Sequence, residues 1–427
     1  MSPSPVPAST AASPKLHARA WFVVGLLFVV GLLNYLDRTM ITTMRGSIVQ
    51  AMPMTDAQFG LLISVFGWVY GLLSPFAGFL ADRFNRSRVI IGSLLVWSIV
   101  TWLTGHAKTF EQLLFARALM GISEACYIPA ALALIADYHR GATRSLATGI
   151  HMGGIMVGSG LAGIGGWIAE KYTWSHAFIV FGIIGLGYAV LLVSVLRDPP
   201  ADRNEVDGTE IVKEKVRFTE AIKTLFSQGT FYLALSFWGL LGIVGWLISS
   251  WLPTYFQEHF HLTQSKAGLY SAGYTYAAAL VGVLLGGYLS DRWSRTNPRA
   301  RILVPAFGLC IAAPGVFMAA NTTLLPIAVM GIMIYALMRH FTDSNMMPIL
   351  CLIADARYRA TGYGVLNFFS CIVGGFGVYA GGILRDRHVD LSKIFMVASA
   401  CMLVCAVLLF LIKPKPAALQ EAAAAKA

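Results

Sequence analysis

Charged residues are scarce in this chain of 427 residues. Asp, Glu, Lys and Arg make up 12% of the sequence and hydrophobic residues 57%, whereas soluble domains carry about 25% charged residues. A chain with so few charges could not cover its surface in water. The net charge of +11 does not indicate a nucleic-acid partner, because the basic residues lie in short loops between apolar runs, where they orient a membrane protein. The composition therefore excludes an ordinary soluble protein and predicts a lipid bilayer around the chain.

Sequence patterns of catalysis and of metal binding are also missing. The six cysteines lie in apolar stretches, and none forms a metal-ligand spacing with a histidine. The sequence has no phosphate loop of the G-x-x-x-x-G-K-S/T kind, which an ATP-driven pump would need. His340 and Asp343 could imitate a catalytic pair, but Arg339 beside them favours electrostatic pairing. We expect neither an enzyme nor a bound metal or cofactor, and any driving force would be a proton gradient.

The chain is instead rich in long apolar runs. A helix needs about 20 apolar residues to cross a bilayer core of about 30 Å, and twelve runs reach that length. They cover residues 21–44, 57–80, 88–106, 110–135, 145–168, 175–196, 230–256, 266–289, 301–320, 323–353, 361–384 and 392–412.

These runs predict an all-α membrane protein with twelve transmembrane helices. We expect residues 1–20 to form a disordered cytoplasmic tail and 21–196 a six-helix bundle. A charged cytoplasmic linker follows at 197–228, with a short amphipathic helix near its end. Residues 229–412 form a second six-helix bundle and 413–427 a second cytoplasmic tail.

The distribution of Lys and Arg predicts the orientation. With both termini in the cytoplasm, twenty-two basic residues fall in cytoplasmic segments, six in outer loops and four inside the spans. Cytoplasmic loops of membrane proteins carry such an excess, so both termini are predicted to be cytoplasmic. The short loops and the Ser/Pro/Ala-rich N-terminal tail are typical of a bacterial inner-membrane protein, and we expect a monomer.

The two halves of the chain repeat each other. Four sequence matches occur in the same order at a nearly constant offset. Two six-helix repeats joined by a cytoplasmic linker are the plan of alternating-access transporters, which favours that mechanism over a channel. The matches are MTDAQFGLL (54–62) with LTQSKAGLY (262–270), GFLADRFNR (78–86) with GYLSDRWSR (287–295), LIAD (134–137) with LIAD (352–355), and GGWIAEK (165–171) with GGILRDR (381–387).

The second of these matches, G-x-L-x-D-R-x-x-R, resembles the signature of the major facilitator superfamily. The resemblance covers residues 21–413 and implies the major facilitator fold. A glycine here lets helices approach closely, an aspartate can sit at a helix N-terminus, and arginines can bond carbonyl ends across the two halves. We expect a cytoplasmic latch that stabilises the outward-open state and breaks when the inside opens. Its predicted members are Gly78, Asp82, Arg83, Arg86, Asp291 and Arg292.

Few ionisable residues lie inside the predicted spans. Each costs at least about 2.5–3.5 kcal/mol there, so each marks a pathway, a proton relay or an ion pair by default. They are Asp37 and Arg38 in the first helix, Arg117 and Glu124 on one face of the fourth, His151 in the fifth, and Arg339, His340 and Asp343 in the tenth.

Their depths along the helices suggest that they form one group. Asp37 and Arg117 both fall in the outer half of the membrane, where they could pair across a cavity. The repeat offsets place Asp343 near the depth of Glu124, and they match His151 with Asn367 in the eleventh helix. Polar groups from both halves would then meet near the midplane, where such transporters bind their substrate.

The residue types predict a coupling mechanism. Asp37 and Glu124 would carry protons, because the proton affinity of a carboxyl group in a low-dielectric cavity is tunable. Arg38 or Arg117 would bind an anionic group of the substrate, since a guanidinium is permanently charged and forks onto a carboxylate. Proton binding at the acids would free an arginine for the substrate. Alternatively, Asp37–Arg117 and Arg339–Asp343 are fixed ion pairs, and His151 and His340 are structural.

A second resemblance concerns the substrate. NYLDR (34–38), Tyr70, R-x-x-x-G-x-x-E (117–124) and WLPTYF (251–256) look like the anion:cation symporter branch of the superfamily, which includes sugar-acid symporters and sialin-type carriers. This resemblance implies proton-coupled symport of a hexonate or hexuronate. It also implies proton sites at Asp37 and Glu124, and a sugar-acid site formed by Tyr35, Arg38, Tyr70 and Asn367.

Some features depart from that branch. The seventh helix offers few polar groups beyond Ser236, Ser249 and Ser250, where a sugar binder would use amides. We add Arg117 and His151 as candidate substrate-binding residues, and Arg339, His340 and Asp343 as secondary candidates.

Spinster-type lipid and lysolipid carriers provide an alternative within the superfamily. GISEACY (121–127), the glycine-rich fifth helix and ILVPAFGLCIAAPGVF (302–317) are similar to them. That branch shares the charged positions, so the cavity lining has to discriminate: a tight, amide-rich cavity favours sugar acids, and an apolar cavity with a lateral opening favours lipids. A proton-coupled exporter uses the same parts and also remains possible.

Overall fold

The computed structural model describes residues 14–139, 143–199, 218–297 and 299–414. Within these ranges, the side chains of residues 14–17, 75, 77–82, 218, 356 and 360 lie outside the description.

Twelve helices of the described residues are long and apolar enough to cross a membrane, which confirms the predicted spans to within a few residues. We label them α1 (Ala18–Thr43), α2 (Asp56–Ser74), α3 (Arg86–Thr104), α4 (Phe110–Tyr138), α5 (Arg144–Lys171), α6 (Trp174–Val195), α7 (Gly229–His259), α8 (Gln264–Ser294), α9 (Ala300–Asn321), α10 (Leu325–Ile353), α11 (Thr361–Asp386) and α12 (Leu391–Leu411).

The ends of the bundles differ slightly from the prediction. The first helix starts at Pro14, so residues 14–20 are helical and the predicted disordered tail is too long at its end. The helix of α2 continues past its apolar part to Arg83. We call the side that carries the chain ends and the linker the inner side, and the opposite side the outer side.

The predicted linker helix is present as Phe218–Phe226. Ala221 and Leu225 are buried on one face of it, and the Tyr358 hydroxyl donates a hydrogen bond of 3.0 Å to Glu220 Oε1. The linker helix is therefore attached to the C-terminal half. The rest of the polar linker, 200–217, lies outside the described residues.

Both halves contain a helix that is broken near its ionisable residues. The fourth helix breaks at Cys126, between segments Phe110–Ala125 and Tyr127–Tyr138, where Pro129 has no N–H to continue the hydrogen-bond ladder. The tenth helix, its partner in the repeat, breaks at His340. Discontinuous helices at the midplane are typical of transporter binding sites.

The two halves meet along several helix pairs. α2 runs along α11, α5 touches α8, and α1 touches α7. At the α2–α11 contact the Ser64 hydroxyl donates to the Gly375 carbonyl at 2.7 Å, and Trp68 Nε1–H donates to the Ile372 carbonyl at 3.0 Å. These contacts fix which faces of the helices border the space between the halves.

Candidate transport site

The close approach of α4 to α2 positions the first group of candidate residues. A Cβ atom at Gly121 would lie 2.9 Å from the Phe66 carbonyl oxygen, so only glycine allows this spacing. Arg117 and Glu124 lie one turn to either side of Gly121, and both are buried. The R-x-x-x-G-x-x-E pattern thus places a cation and an acid against α1 and α2.

Arg38 lies in a cage of four aromatic rings. The centre of its guanidinium is 4.7–5.1 Å from the ring centroids of Tyr35, Phe66, Tyr70 and Trp246. Within the described part of the chain, its guanidinium has no hydrogen-bond or ion-pair partner, and the side chain is partly exposed. Aromatic faces attract a cation but leave its N–H donors free. Arg38 is therefore available to an anion.

Arg117 is held by backbone and sulfur atoms. Its guanidinium donates to the carbonyls of Leu62 and Arg38 at 3.4 and 3.3 Å, and Nη1 lies 3.1 Å from Met120 Sδ. It is 1% exposed. These contacts tie α4 to α1 and α2, so in this structure Arg117 fixes helices and Arg38 faces the open space.

The ion pair between Asp37 and Arg117 that the sequence suggests is not formed by these two described residues. The Thr101 hydroxyl donates to Asp37 Oδ2 at 3.4 Å, while Oδ1 has no hydrogen-bond partner. The backbone atoms around Arg117 satisfy its donors instead, which leaves Asp37 without a cation.

Glu124 lies within electrostatic reach of Arg38 and Arg117 but forms no ion pair with either. It is 1% exposed, and neither of its carboxylate oxygens has a hydrogen-bond partner among the described residues. The amide nitrogen of Asn34 is also buried and without a hydrogen-bond partner. Two buried acids without a fixed cation are suited to gaining and losing protons, since no ion pair holds them in the charged form.

The predicted Arg339–Asp343 ion pair is present. Arg339 Nη1 donates to Asp343 Oδ2 at 2.9 Å, and His340 Nε2 is 3.6 Å from the same oxygen. Nε of Arg339 has no hydrogen-bond partner, and its other amino group lies beside Gly245 of α7. This cluster extends the site into the C-terminal half.

His151 does not face the space between the halves. It is fully buried, and its Nδ1 lies 3.1 Å from the Leu27 carbonyl and 3.5 Å from the Tyr127 hydroxyl. Because the carbonyl accepts, Nδ1 carries the proton and joins α5 to α1. The structure thus places this predicted substrate residue in a structural position, whereas its repeat partner Asn367 is partly exposed.

The outer ends of the halves are joined by a charged network. Arg385 donates to Asp56 at 3.0 Å and to Glu258 at 2.8 Å. Arg45 pairs with Asp56 and, at 3.4 Å, with Glu258. Because Arg45 and Asp56 belong to the first half and the other two to the second, these bridges hold the outer side closed.

Two carboxylates add backbone contacts across the halves. Asp386 at the end of α11 accepts from the backbone N–H groups of Asp56 and Ala57 at 2.8 and 3.0 Å. Glu170 at the end of α5 accepts from the backbone N–H of Ser265 at 2.7 Å. Free N–H groups and the helix dipole at a helix start favour an anion. The outer gate consists of Arg45, Asp56, Glu170, Glu258, Ser265, Arg385 and Asp386.

Two residues of the predicted inner latch form their ion pairs within their own halves. Arg86 pairs with Asp137 of its own half, and Asp291 accepts from Arg301 of its own half at 3.4 Å. Arg83 ends the helix of α2, and Arg292 lies 3.5 Å from the Tyr288 hydroxyl. The side chain of Asp82 and the surroundings of Gly78 lie outside the description.

An apolar groove of about 740 Å³ lies between α8 and α10. Exposed Tyr274, Val281 and Met330 line it, together with Met338. Exposed apolar side chains on membrane helices contact lipid. The groove therefore opens towards the bilayer.

Sequence reasoning missed two parts of this arrangement. Phe66 and Trp246 are apolar residues in apolar helices, and no pattern marks them as ring partners of a cation. Glu170 and Asp386 carried a signal, because they align in the GGWIAEK and GGILRDR repeat. Two acids at one repeat position indicate a shared role.

Twelve spans in two repeats, with charged groups between the halves, are the arrangement typical of secondary transporters. The sequence model of the Major Facilitator Superfamily matches residues 27–378. The chain belongs to this superfamily and is a multi-pass integral membrane protein.

Relatives of known name point to two kinds of transporter. Protein spinster homolog 1 of Xenopus laevis is 29% identical over 327 residues, which cover 72% of this chain and 62% of the relative. This chain thus spans about three-fifths of the length of that protein. The probable sulfoacetate transporter SauU of Cupriavidus necator is 26% identical over 407 residues, which cover 92% of this chain and 93% of the relative.

A solved structure supports the fold. The crystal structure of a bacterial homolog to the human lysosomal transporter spinster, in an inward-facing and unoccupied conformation, superimposes with a TM-score of 0.75. The identity is 24%, and the match covers 96% of this chain and 98% of that one. This likeness confirms the major facilitator fold.

Proposed function

We propose that this transporter moves a small organic anion together with protons by alternating access. The observation that carries the proposal is Arg38, a cation within the membrane that has aromatic neighbours and no counterion among the described residues. An intramembrane cation needs a partner, and an anionic substrate supplies it. The name of the relative SauU supports an organic anion as cargo.

Asp37 and Glu124 carry the coupling protons in this proposal. Both are buried in the same half as Arg38, and neither has a cation within ion-pair distance in the described part of the chain. When protonated, the two acids leave Arg38 and Arg117 as net positive charge that attracts the anion. When they ionise, the anion loses that attraction and is released.

Alternating access follows from the two sets of interhalf contacts. The outer gate closes one side in this structure, so the site is reached from the inner side. In the opposite state the gate opens, and the predicted latch closes the inner side. The substrate site between the halves is then exposed to one side at a time.

Uptake into proteoliposomes with an inward proton gradient tests the proposal. The substrates to compare are gluconate, galactonate, glucuronate and sulfoacetate, each labelled. We expect the gradient to stimulate uptake of at least one, with loss in Asp37→Asn and Glu124→Gln. The exposed outer-surface variant Asp390→Asn is the matched acid-to-amide control and should retain uptake. Gradient-independent uptake, or uptake unaffected by both buried variants, would contradict the proposal.

A lysolipid is the second candidate substrate. The apolar groove between α8 and α10 favours it, because the groove is lined by apolar side chains and opens towards the bilayer. A labelled lysophospholipid in the same assay separates the two candidates. Lysolipid transport without uptake of any organic anion would replace the first proposal with this one.

A further inference from the structure

The Arg339–His340–Asp343 cluster has no part in the mechanism described so far. It lies in α10, the repeat partner of α4, at the helix break next to His340. Arg339 is 18% exposed and Asp343 26%, so the pair borders open space. The two residues lie on either side of the break in α10, one turn apart, so their ion pair does not join α10 to another helix.

Arg339 also retains donors that the ion pair does not use. Asp343 accepts only from Nη1. Nε is buried without a partner, and Nη2 would lie 3.3 Å from a Cβ atom built at Gly245. Arg339 therefore packs closely against α7 at Gly245 while its Nε donor stays unused.

Arg38 and Arg339 border the same region from opposite halves. Arg38 lies 5.0 Å from the ring of Trp246, and Arg339 lies against Gly245, the preceding residue of α7. The hydroxyl of Tyr276 is within electrostatic reach of both guanidinium groups. Two cations, one in each half, thus flank one short stretch of α7.

We propose that the substrate is a dianion whose two anionic groups are bound by Arg38 in one half and Arg339 in the other. This inference rests on the proposed function and specifies its substrate class. The charge of the site agrees with it. With Asp37 and Glu124 protonated and His340 neutral, three guanidinium groups and the carboxylate of Asp343 remain, which is a net charge of about +2 that a dianion neutralises.

The same charge balance defines the coupling. Two protons on Asp37 and Glu124 enter with one dianion, so each transport cycle moves no net charge.

Uptake of labelled sulfoacetate, which carries a sulfonate and a carboxylate, tests the dianion site against two monoanions, ethanesulfonate and propionate. We expect sulfoacetate to be taken up with a KM at least about tenfold lower than that of either monoanion. Arg339→Gln should raise the KM of sulfoacetate by about ten- to a hundredfold and leave the KM of the monoanions nearly unchanged. Arg387→Gln, an exposed outer-side variant of the same half, is the matched control.

Further variants distinguish loss of the binding site from misfolding. Arg339→Gln leaves Asp343 without its cation, so the double variant Arg339→Gln/Asp343→Asn replaces the ion pair with neutral amides. Folding is checked by size-exclusion chromatography. The double variant should fold and still lack the preference for the dianion, whereas Arg339→Lys should recover part of it.

A membrane potential clamped with potassium and valinomycin measures the coupling. Sulfoacetate uptake should not change with the potential if two protons accompany each dianion. Equal KM values for monoanions and sulfoacetate, or an Arg339→Gln variant with wild-type selectivity, would overturn the dianion site while leaving proton-coupled anion transport intact. Absence of gradient-driven uptake for every anion would instead refute the proposed function.

Discussion

Glu170 and Asp386 occupy the same position of the internal repeat, and each caps the start of a helix in the opposite half. Glu170 accepts from Ser265 at the start of α8, and Asp386 accepts from Asp56 and Ala57 at the start of α2. The capped positions are themselves repeat partners, since 54–62 aligns with 262–270. The outer gate is thus built twice from one repeated element.

Removing both caps should open the outer side. A hydrogen bond to a charged group contributes roughly 1.5–3 kcal/mol, and less where solvent screens it. We therefore expect Glu170→Gln/Asp386→Asn to shift the population towards the outward-open state by roughly threefold to tenfold, and each single variant to shift it less. Spin labels at His106→Cys and Leu324→Cys in a cysteine-free background should report a longer outer distance.

The control for this experiment is Asp390→Asn. Asp390 is an exposed acid on the same surface and makes no side-chain cap. An unchanged distance in the double variant, or an equal change in the control, would show that the caps do not hold the gate.

Arg38 should be the residue that the anion depends on most. Arg38→Gln removes the free guanidinium, and we expect the KM for the transported anion to rise by at least about tenfold. Arg38→Lys keeps the charge but loses the planar fork, so it should recover only part of the affinity. Initial uptake rates over a range of concentrations measure both. A wild-type KM in Arg38→Gln would show that Arg38 does not bind the anion.

Substitution of Gly158 tests the close packing of α5 against α1, which positions the site. A Cβ atom there would clash with the backbone of Leu32 in α1, whereas one at Gly149 of the same helix would meet nothing within 4 Å. Gly158→Ala should destabilise the protein by about 1–3 kcal/mol, and Gly149→Ala should be neutral or slightly stabilising. Thermal unfolding in detergent compares the two. Equal melting temperatures would show that α1 adjusts without cost.

His151 should matter for stability and not for substrate affinity. It is fully buried and joins α5 to α1 through the Leu27 carbonyl. Loss of that hydrogen bond in His151→Ala costs about 1 kcal/mol plus the cost of the cavity. The thermal midpoint should fall while the KM stays within about twofold. A large increase in KM in the folded variant would show that His151 contributes to substrate binding.

Much of the fold follows from the sequence because the bilayer allows few alternatives. Apolar runs long enough to span it must become helices, and the repeat fixes how they are grouped. The candidate residues were predictable for the same reason, since an ionisable group in a span is rare. The pairing of those residues was not predictable. The Arg117 guanidinium donates to backbone carbonyls, and Asp37 has no ion-pair partner among the described residues. Which arrangement forms depends on side-chain rotamers and on the distance between α1 and α4.

The conformational state also lies beyond sequence reasoning. The latch motif predicts a contact that exists only in one state, and the structure shows the other side closed. The outer gate depends on how the helix ends meet, and neither Arg385 nor Glu258 stands out among the charged residues at the helix ends. The alignment of the two repeats is the strongest sequence signal of the outer gate, because it matches Glu170 with Asp386.

The most direct test of the account is proton movement driven by the substrate. Proteoliposomes that contain a trapped pH-sensitive dye and start without a pH gradient would receive sulfoacetate, or a sugar acid found in the uptake screen, on the outside. The account predicts that the lumen acidifies with the wild-type protein and not with Glu124→Gln, although the variant still exchanges labelled for unlabelled substrate. Substrate entry without acidification in the wild type, or the same acidification in Glu124→Gln, would contradict proton-coupled transport through this site.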